Sequence, residues 1–193
     1  MKTYIQHIVE NIKGSKSVID IGIIGTGTGR KNIKRHDAFA KAAKNIVATD
    51  NKKKLIDFAK SIGYNKILLS DITSEGDVDD LLRRYGTFDH IIFTDVIEHI
   101  GNLTTALDNI YRLMNKKSRL YISTPNAASS FFHKRFKHRR KINYQLKPDG
   151  DTICWFCENT LIVLLKRSNL APVFIQEADH HVLFFIVKKY DDV

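Results

Sequence analysis

Apolar residues along this chain alternate between helical and strand periods. Tyr4, Ile5, Ile8, Val9 and Ile12 recur at helical spacing, and Gly14 can end the helix they predict. Residues 17–21 then read as a short strand. Residues 45–49 read as a second strand, followed by a helix with Leu55, Ile56, Ala59 and Ile62 on one face, closed by Gly63. Residues 66–70 predict a third strand. Val78, Leu81, Leu82 and Tyr85 form the next helix face, and Gly86 ends it. Ser74-x-x-Asp77 resembles a capping box ahead of that helix, with Asp where Glu or Gln is usual.

The most regular stretch covers residues 87–126. Residues 88–93 are an apolar run rich in β-branched side chains, as a buried parallel strand should be. The run ends at Thr94-Asp95-Val96-Ile97-Glu98-His99, where charge appears abruptly. Asn102 can cap a helix in which Leu103, Ala106, Leu107, Ile110, Leu113 and Met114 share one face. Residues 119–123 form the next strand, which Pro125 stops. Ligands of an open parallel sheet sit beyond the carboxyl ends of its strands, so the 95–99 and 124–126 turns lie at the functional edge. Past Asn126 the pattern loosens. Residues 127–136 predict a short helix bearing Phe131, Phe132 and Phe136, and Lys147-Pro148-Asp149-Gly150 a turn. Leu161, Leu164 and Leu165 share a helix face, and residues 172–178 and 182–187 read as strands with a tight link between them.

Composition narrows the class. The 193 residues point to one domain, and an apolar share of 43% suffices for a core. No segment approaches the roughly 20 uninterrupted apolar residues of a membrane span. The first residues place charges inside their apolar pattern and offer no small-residue cleavage site, unlike a secretory signal. With two cysteines, this indicates a reducing, cytoplasmic setting. A net charge of +10 and a pI near 9.6 favour an anionic partner: nucleic acid, a phosphorylated small molecule or an acidic lipid surface. A solvated basic surface is the alternative. The run His133–Lys141, HKRFKHRRK, is the most basic stretch and is interleaved with aromatics.

Between Asp20 and Gly29 lies a glycine-rich segment, DIGIIGTGTG. Glycine lets a backbone turn sharply after a strand and lets a ligand approach closely. Nucleotide binders and plain tight turns share that feature. Cys154-x-x-Cys157 has the spacing of a redox or zinc pair, but two thiols cannot build a four-thiolate site within one chain. Cys154 sits within a Trp-Phe segment, which points to packing.

The stretch FDHIIFTDVIEHIGN, followed by the amphipathic helix and RLYISTPN, resembles the second half of a class I S-adenosylmethionine-dependent methyltransferase. The type is one whose fourth strand ends in an acidic residue followed by Val-Ile-Glu-His. The resemblance implies a Rossmann-like α/β three-layer sandwich with a mostly parallel seven-stranded sheet and a C-terminal antiparallel hairpin. It implies a first helix, within residues 1–16, that packs on the sheet edge or covers the cofactor. Residues 127–155 would be the acceptor-binding insertion or lid.

The implied cofactor is S-adenosyl-L-methionine. Asp20, Gly22, Gly25 and Gly27 stand at the first-strand motif, Asp50 at the ribose with Asn51 beside it among the cofactor-binding residues, Asp71 and Ile72 at the adenine, and Asp95 at the fourth strand end. Asp20, Asp50 and Asp71 should converge on one rim of the sheet. Ile24 replaces the second glycine of the usual motif, and Asp50 lies further on than usual. A longer loop holding Arg30 to Asp37 is therefore expected, with the first crossover helix at residues 38–43. His99 is the candidate general base, and Glu98 shapes the turn and its charge.

The implied reaction is methyl transfer to an oxygen of a small-molecule or glycan-type acceptor. One alternative is RNA 2′-O-methylation, because Asp95-x-x-Glu98-His99 is similar to a metal-binding run in enzymes that methylate small-RNA ends. There, Asp151 would have to replace a later His. Another alternative is a non-catalytic module that binds a nucleoside or an anion. The Asn/Asp-Pro-Pro-aromatic signature of base-amine methyltransferases is absent from the sequence.

Overall fold

The computed structural model describes residues 2–23, 30–61, 63–64, 66–139, 152–178 and 181–192. Seven strands form one sheet: β1 (Val18–Ile21), β2 (Ile46–Asp50), β3 (Ile67–Leu69), β4 (Phe88–Thr94), β5 (Met114–Pro125), β6 (Leu170–Ala178) and β7 (Val182–Lys189). Their order is β3-β2-β1-β4-β5-β7-β6. The pairs from β3 through β5 are parallel, and β7 runs antiparallel to both β5 and β6. This is the Rossmann-like sandwich with a C-terminal antiparallel hairpin that the resemblance implies.

Side chains alternate across the sheet, so consecutive strand residues feed two different cores. Val18, Ile92, Tyr121 and Phe184 pack with α1 (Tyr4–Ile12) and Phe39 of α2 (Arg30–Ala42). On that side Ala48 and Ile67 also meet Ile56 and Ala59 of α3 (Lys53–Ser61). Their neighbours Ile19, Ile91, Ile122 and Phe185 pack the opposite way. There they meet α4 (Glu75–Tyr85), α5 (Leu103–Leu113) and α7 (Glu158–Arg167). A further helix, α6 (Ser130–Arg139), follows β5. Among the described residues, no helix is long and apolar enough to cross a membrane.

Three sequence expectations need correction. The first crossover helix begins at Arg30, not at residue 38. Its early turns are charged, and the side chains it turns inward include the polar His36 as well as Phe39, so the apolar period is hidden. Met114 is buried but opens β5 instead of ending the α5 face. The capping box at Ser74 is half formed. Ser74 accepts from the Asp77 N–H at 3.3 Å, while the Asp77 carboxylate accepts from the Asp71 N–H at 2.8 Å.

Gly22 follows β1 with φ at +76°, and a Cβ built on it would lie 2.5 Å from Val96 Cγ2. The glycine thus admits the β4 turn as a neighbour, besides facing the cavity described below. Gly22→Ala should lower unfolding free energy by about 2 kcal/mol or more through left-handed strain and overpacking. Urea denaturation measures this, and adding Val96→Ala should restore only the steric part.

Candidate active site

A cavity of about 310 Å³ opens at the carboxyl edge of β1, β2 and β4. Gly22, Asp50, Asn51, Asp71, Ile72, Asp95 and His99 all line it. Seven of the positions singled out from the sequence are therefore brought to one place. Gly25 and Gly27 lie outside the described residues. Asp20 is not among the lining residues. Its carboxylate is 4% exposed and lies 2.8 Å from His36 Nδ1 of α2, behind the cavity wall. Asp50 and Asp71 share the rim, but the expected convergence of Asp20 with them is not met, because its carboxylate is buried against His36.

Asp50 ends β2, and its Oδ1 accepts from the Lys52 N–H at 2.9 Å as the chain turns into α3. Capping and cavity lining are thus combined in one carboxylate. Asp71 is held more tightly. Its Oδ1 accepts from the Thr73 N–H at 2.8 Å and the Thr73 hydroxyl at 2.7 Å, and its Oδ2 from Asn51 Nδ2 at 3.2 Å. Burial pushes this carboxyl up, but the Thr73 and Asn51 hydrogen bonds outweigh it and leave it below its ordinary value. Ile72 is buried beside it, with its carbonyl accepting from Asn109 Nδ2 at 2.9 Å.

Asp95 stands just past β4 with φ at +54°, a left-handed conformation that costs a non-glycine residue about 1–2 kcal/mol. Partners hold it there. Ser123 Oγ donates to Oδ1 at 2.7 Å, and the Arg35 guanidinium pairs with Oδ2. Arg35 also donates to Tyr4 Oη at 2.9 Å, so α1, α2, β4 and β5 meet at one network. Burial lowers the Arg35 pKa, but the charge of Asp95 raises it further, so the guanidinium stays charged. Burial, then the Asp95 charge, raises the Tyr4 phenol.

Glu98 belongs to a short 3-10 turn (Ile97–His99) and is 3% exposed. Burial first, and the neighbouring Asp95 charge second, push its carboxyl up to about 8. Thr124 Oγ1 donates to it at 3.1 Å. The Glu98 carbonyl accepts from the N–H groups of Ile153 and Cys154 at 2.9 and 3.1 Å. His99 lines the cavity, with Nε2 at 3.9 Å from Glu98 Oε1. Its Nδ1 is buried with no hydrogen-bond partner among the described residues.

Asn126, outside the cavity lining, joins the end of β5 to the segment before α7 and to the β6–β7 hairpin. Its N–H donates to the His181 carbonyl at 2.7 Å, and its side-chain amide to Glu177 Oε1 at 3.2 Å. The Ala127 N–H meets the Phe156 carbonyl at 2.8 Å. Rings gather around that joint, with Phe132 edge-on to Trp155 and Phe131 beside His181, each pair 4.9 Å between centroids. Cys154 packs partly buried against the main core, whereas Cys157 precedes α7 beside Thr160 Oγ1 at 3.5 Å. Among the described residues no His, Cys, Asp or Glu group is placed to hold a metal, and Asp151 lies outside them.

Arg35, His36, Ser123, Thr124 and Asn109 are the site residues that sequence reading missed. Only Ser123 and Thr124 carried a signal, standing at a strand end already assigned to the functional edge.

Comparison with known proteins agrees with this architecture. Residues 1–174 match the family model described as a methyltransferase domain, and the chain belongs to that family. It is an enzyme of the class I S-adenosylmethionine-dependent methyltransferases, and S-adenosylmethionine is its cofactor. No curated protein matches the sequence. Among solved structures, a S-adenosylmethionine-dependent methyltransferase from Archaeoglobus fulgidus superposes with a TM-score of 0.68 at 16% identity, covering 96% of this chain and 91% of that one. A 1,6-didemethyltoxoflavin-N1-methyltransferase from Burkholderia thailandensis gives 0.60 at 16% identity, covering 96% and 78%. That protein was solved with 1,6-didemethyltoxoflavin and S-adenosylhomocysteine bound. A Haloferax volcanii protein in complex with the Trm112 methyltransferase activator gives 0.66 at 13% identity, covering 95% and 87%. At these identities the likeness concerns the fold.

The raised Glu98 carboxyl has a thermodynamic signature. Between its ordinary value of 4.5 and about 8, the unfolded chain has released this proton while the folded chain retains it. Stability therefore falls as pH rises through that interval. Glu98→Gln should gain a melting-temperature advantage over the native chain that grows from about pH 4.5 to 8. Thermal unfolding across that range reads it, and a pH-independent difference would contradict a protonated buried acid.

Proposed function

We propose that this methyltransferase acts on an oxygen of a small-molecule or glycan-type acceptor, with His99 as the general base. The observation that carries the reading is the His99 imidazole, which lines the cavity beside Asp50, Asp71 and Asp95. Its Nδ1 is shielded, so Nε2 is the nitrogen that would take the proton of an acceptor hydroxyl.

The cavity chemistry fits the cofactor. Asp50 and Asn51 offer acceptors and a donor to ribose hydroxyls, Asp71 an acceptor to the adenine amino group, and Ile72 an apolar wall to the ring. Asp95 adds negative charge for the cationic end, and Gly22 leaves the floor without a side chain. S-adenosylmethionine, when bound, would supply a sulfonium methyl for in-line transfer to the acceptor oxygen, its carbon–sulfur bond breaking to leave neutral S-adenosylhomocysteine. The protein's share is to hold the partners in line and remove the hydroxyl proton. Glu98, protonated, shapes the turn without adding a second negative charge beside Asp95. Residues 1–193 are read as one domain, with 127–155 as the acceptor-binding insertion of a cytoplasmic enzyme. The exposed faces of Phe131 and Trp155 would receive the apolar face of a sugar.

His99→Ala should lower kcat by about 10²–10⁴-fold. It should leave S-adenosylhomocysteine affinity within a few fold, as titration calorimetry reads. Retained kcat would remove the imidazole from the chemistry. Asp50→Asn should instead weaken S-adenosylhomocysteine by about 10–100-fold, the worth of hydrogen bonds to a charged acceptor. A methyl-release assay should favour sugar and nucleotide-sugar hydroxyls over amines and over single-stranded RNA. Faster turnover on RNA would replace the glycan reading with ribose methylation.

A further inference from the structure

Asn109 lies inside α5 and is 2% exposed, among Ala106, Leu107, Ile110 and Leu113. Apolar side chains fill the neighbouring positions, and Asn is among the weaker helix formers, so the core has no need of an amide here. The amide is used elsewhere. Its Nδ2 donates to the Ile72 carbonyl at 2.9 Å, across 37 positions of sequence. Its Oδ1 accepts from Arg112 Nη1 at 3.1 Å, which fixes which way the amide points. Arg112 in turn pairs with Asp79 of α4.

The peptide just before is tied from α4 as well, since the Asp71 N–H meets the Asp77 carboxylate at 2.8 Å. The Asp71-Ile72 segment therefore hangs between two helices by side-chain bonds to its own backbone. We propose that Asn109 is a positioning residue for purine selection. By fixing the Ile72 peptide, it holds the Asp71 carboxylate and the Ile72 side chain in one register toward the cavity. The site then prefers a purine that presents an amino group over one that presents an oxo group. This rests on the reading of Asp71 and Ile72 as the adenine site.

The test compares S-adenosylhomocysteine with S-inosylhomocysteine, its 6-oxo counterpart, by titration calorimetry on the full chain. The native chain should prefer the amino form. Asn109→Leu, close in volume and apolar like its neighbours, should weaken S-adenosylhomocysteine by tenfold or more and S-inosylhomocysteine by less than threefold. A purely structural role would weaken both in proportion, and that result overturns the proposal. Should Asn109→Leu not fold, Arg112→Met decides, because its partially exposed guanidinium touches the Asn109 amide and Asp79 but no residue lining the cavity. A selective loss of about two- to fivefold for the amino ligand supports the role, and unchanged selectivity overturns it. A native chain indifferent to the two ligands would sink the adenine reading itself. A native preference that survives in both variants would sink Asn109 alone.

Discussion

The site is shaped by a crowd of carboxylates at one end of a sheet. Asp20, Asp50, Asp71, Asp95 and Glu98 all gather at the carboxyl edge, where unpaired buried charge is costly. The fold resolves each one differently. His36 takes Asp20, and Lys52 N–H takes one oxygen of Asp50. Thr73 and Asn51 surround Asp71, Arg35 and Ser123 hold Asp95, and Glu98 keeps its proton. Five carboxylates are thus accommodated in one small region without several uncompensated charges repelling one another.

Arg35 does the widest structural work among these partners. Through Tyr4 and Asp95 it joins the helix layer of α1 and α2 to the edge of β4 and β5. The first crossover helix is therefore part of the site as well as a connection between strands. Its buried face is partly polar, and for that reason its early turns looked like loop. A periodicity argument detects helices through apolar repeats. It cannot detect one that spends inward positions on an arginine and a histidine.

Elsewhere the chain was legible. Strand β4, the α5 cap at Asn102 and the closing hairpin stand close to where pattern and resemblance placed them, and the expected 119–123 strand lies within the longer β5, because apolar alternation and helix caps are local properties. Asp50, Asp71, Asp95 and His99 were legible for a different reason, since motif position tracks strand ends and strand ends meet at the cavity. Long-range partnerships left no such trace. The approach of Val96 to Gly22, the Asp20–His36 pair and the diversion of Asp77 from Ser74 to Asp71 depend on how loops meet after folding. Nothing in the spacing of one chain encodes them.

Trp155 is the chain's single indole, and it sits at the Asn126 joint, edge-on to Phe132. It is 36% exposed, in the segment whose backbone also reaches Glu98. Tryptophan emission therefore originates from one place. The molecule thus carries a built-in optical probe of the Asn126–Phe132 region, outside the cavity lining, and changes there can be followed without attaching a label.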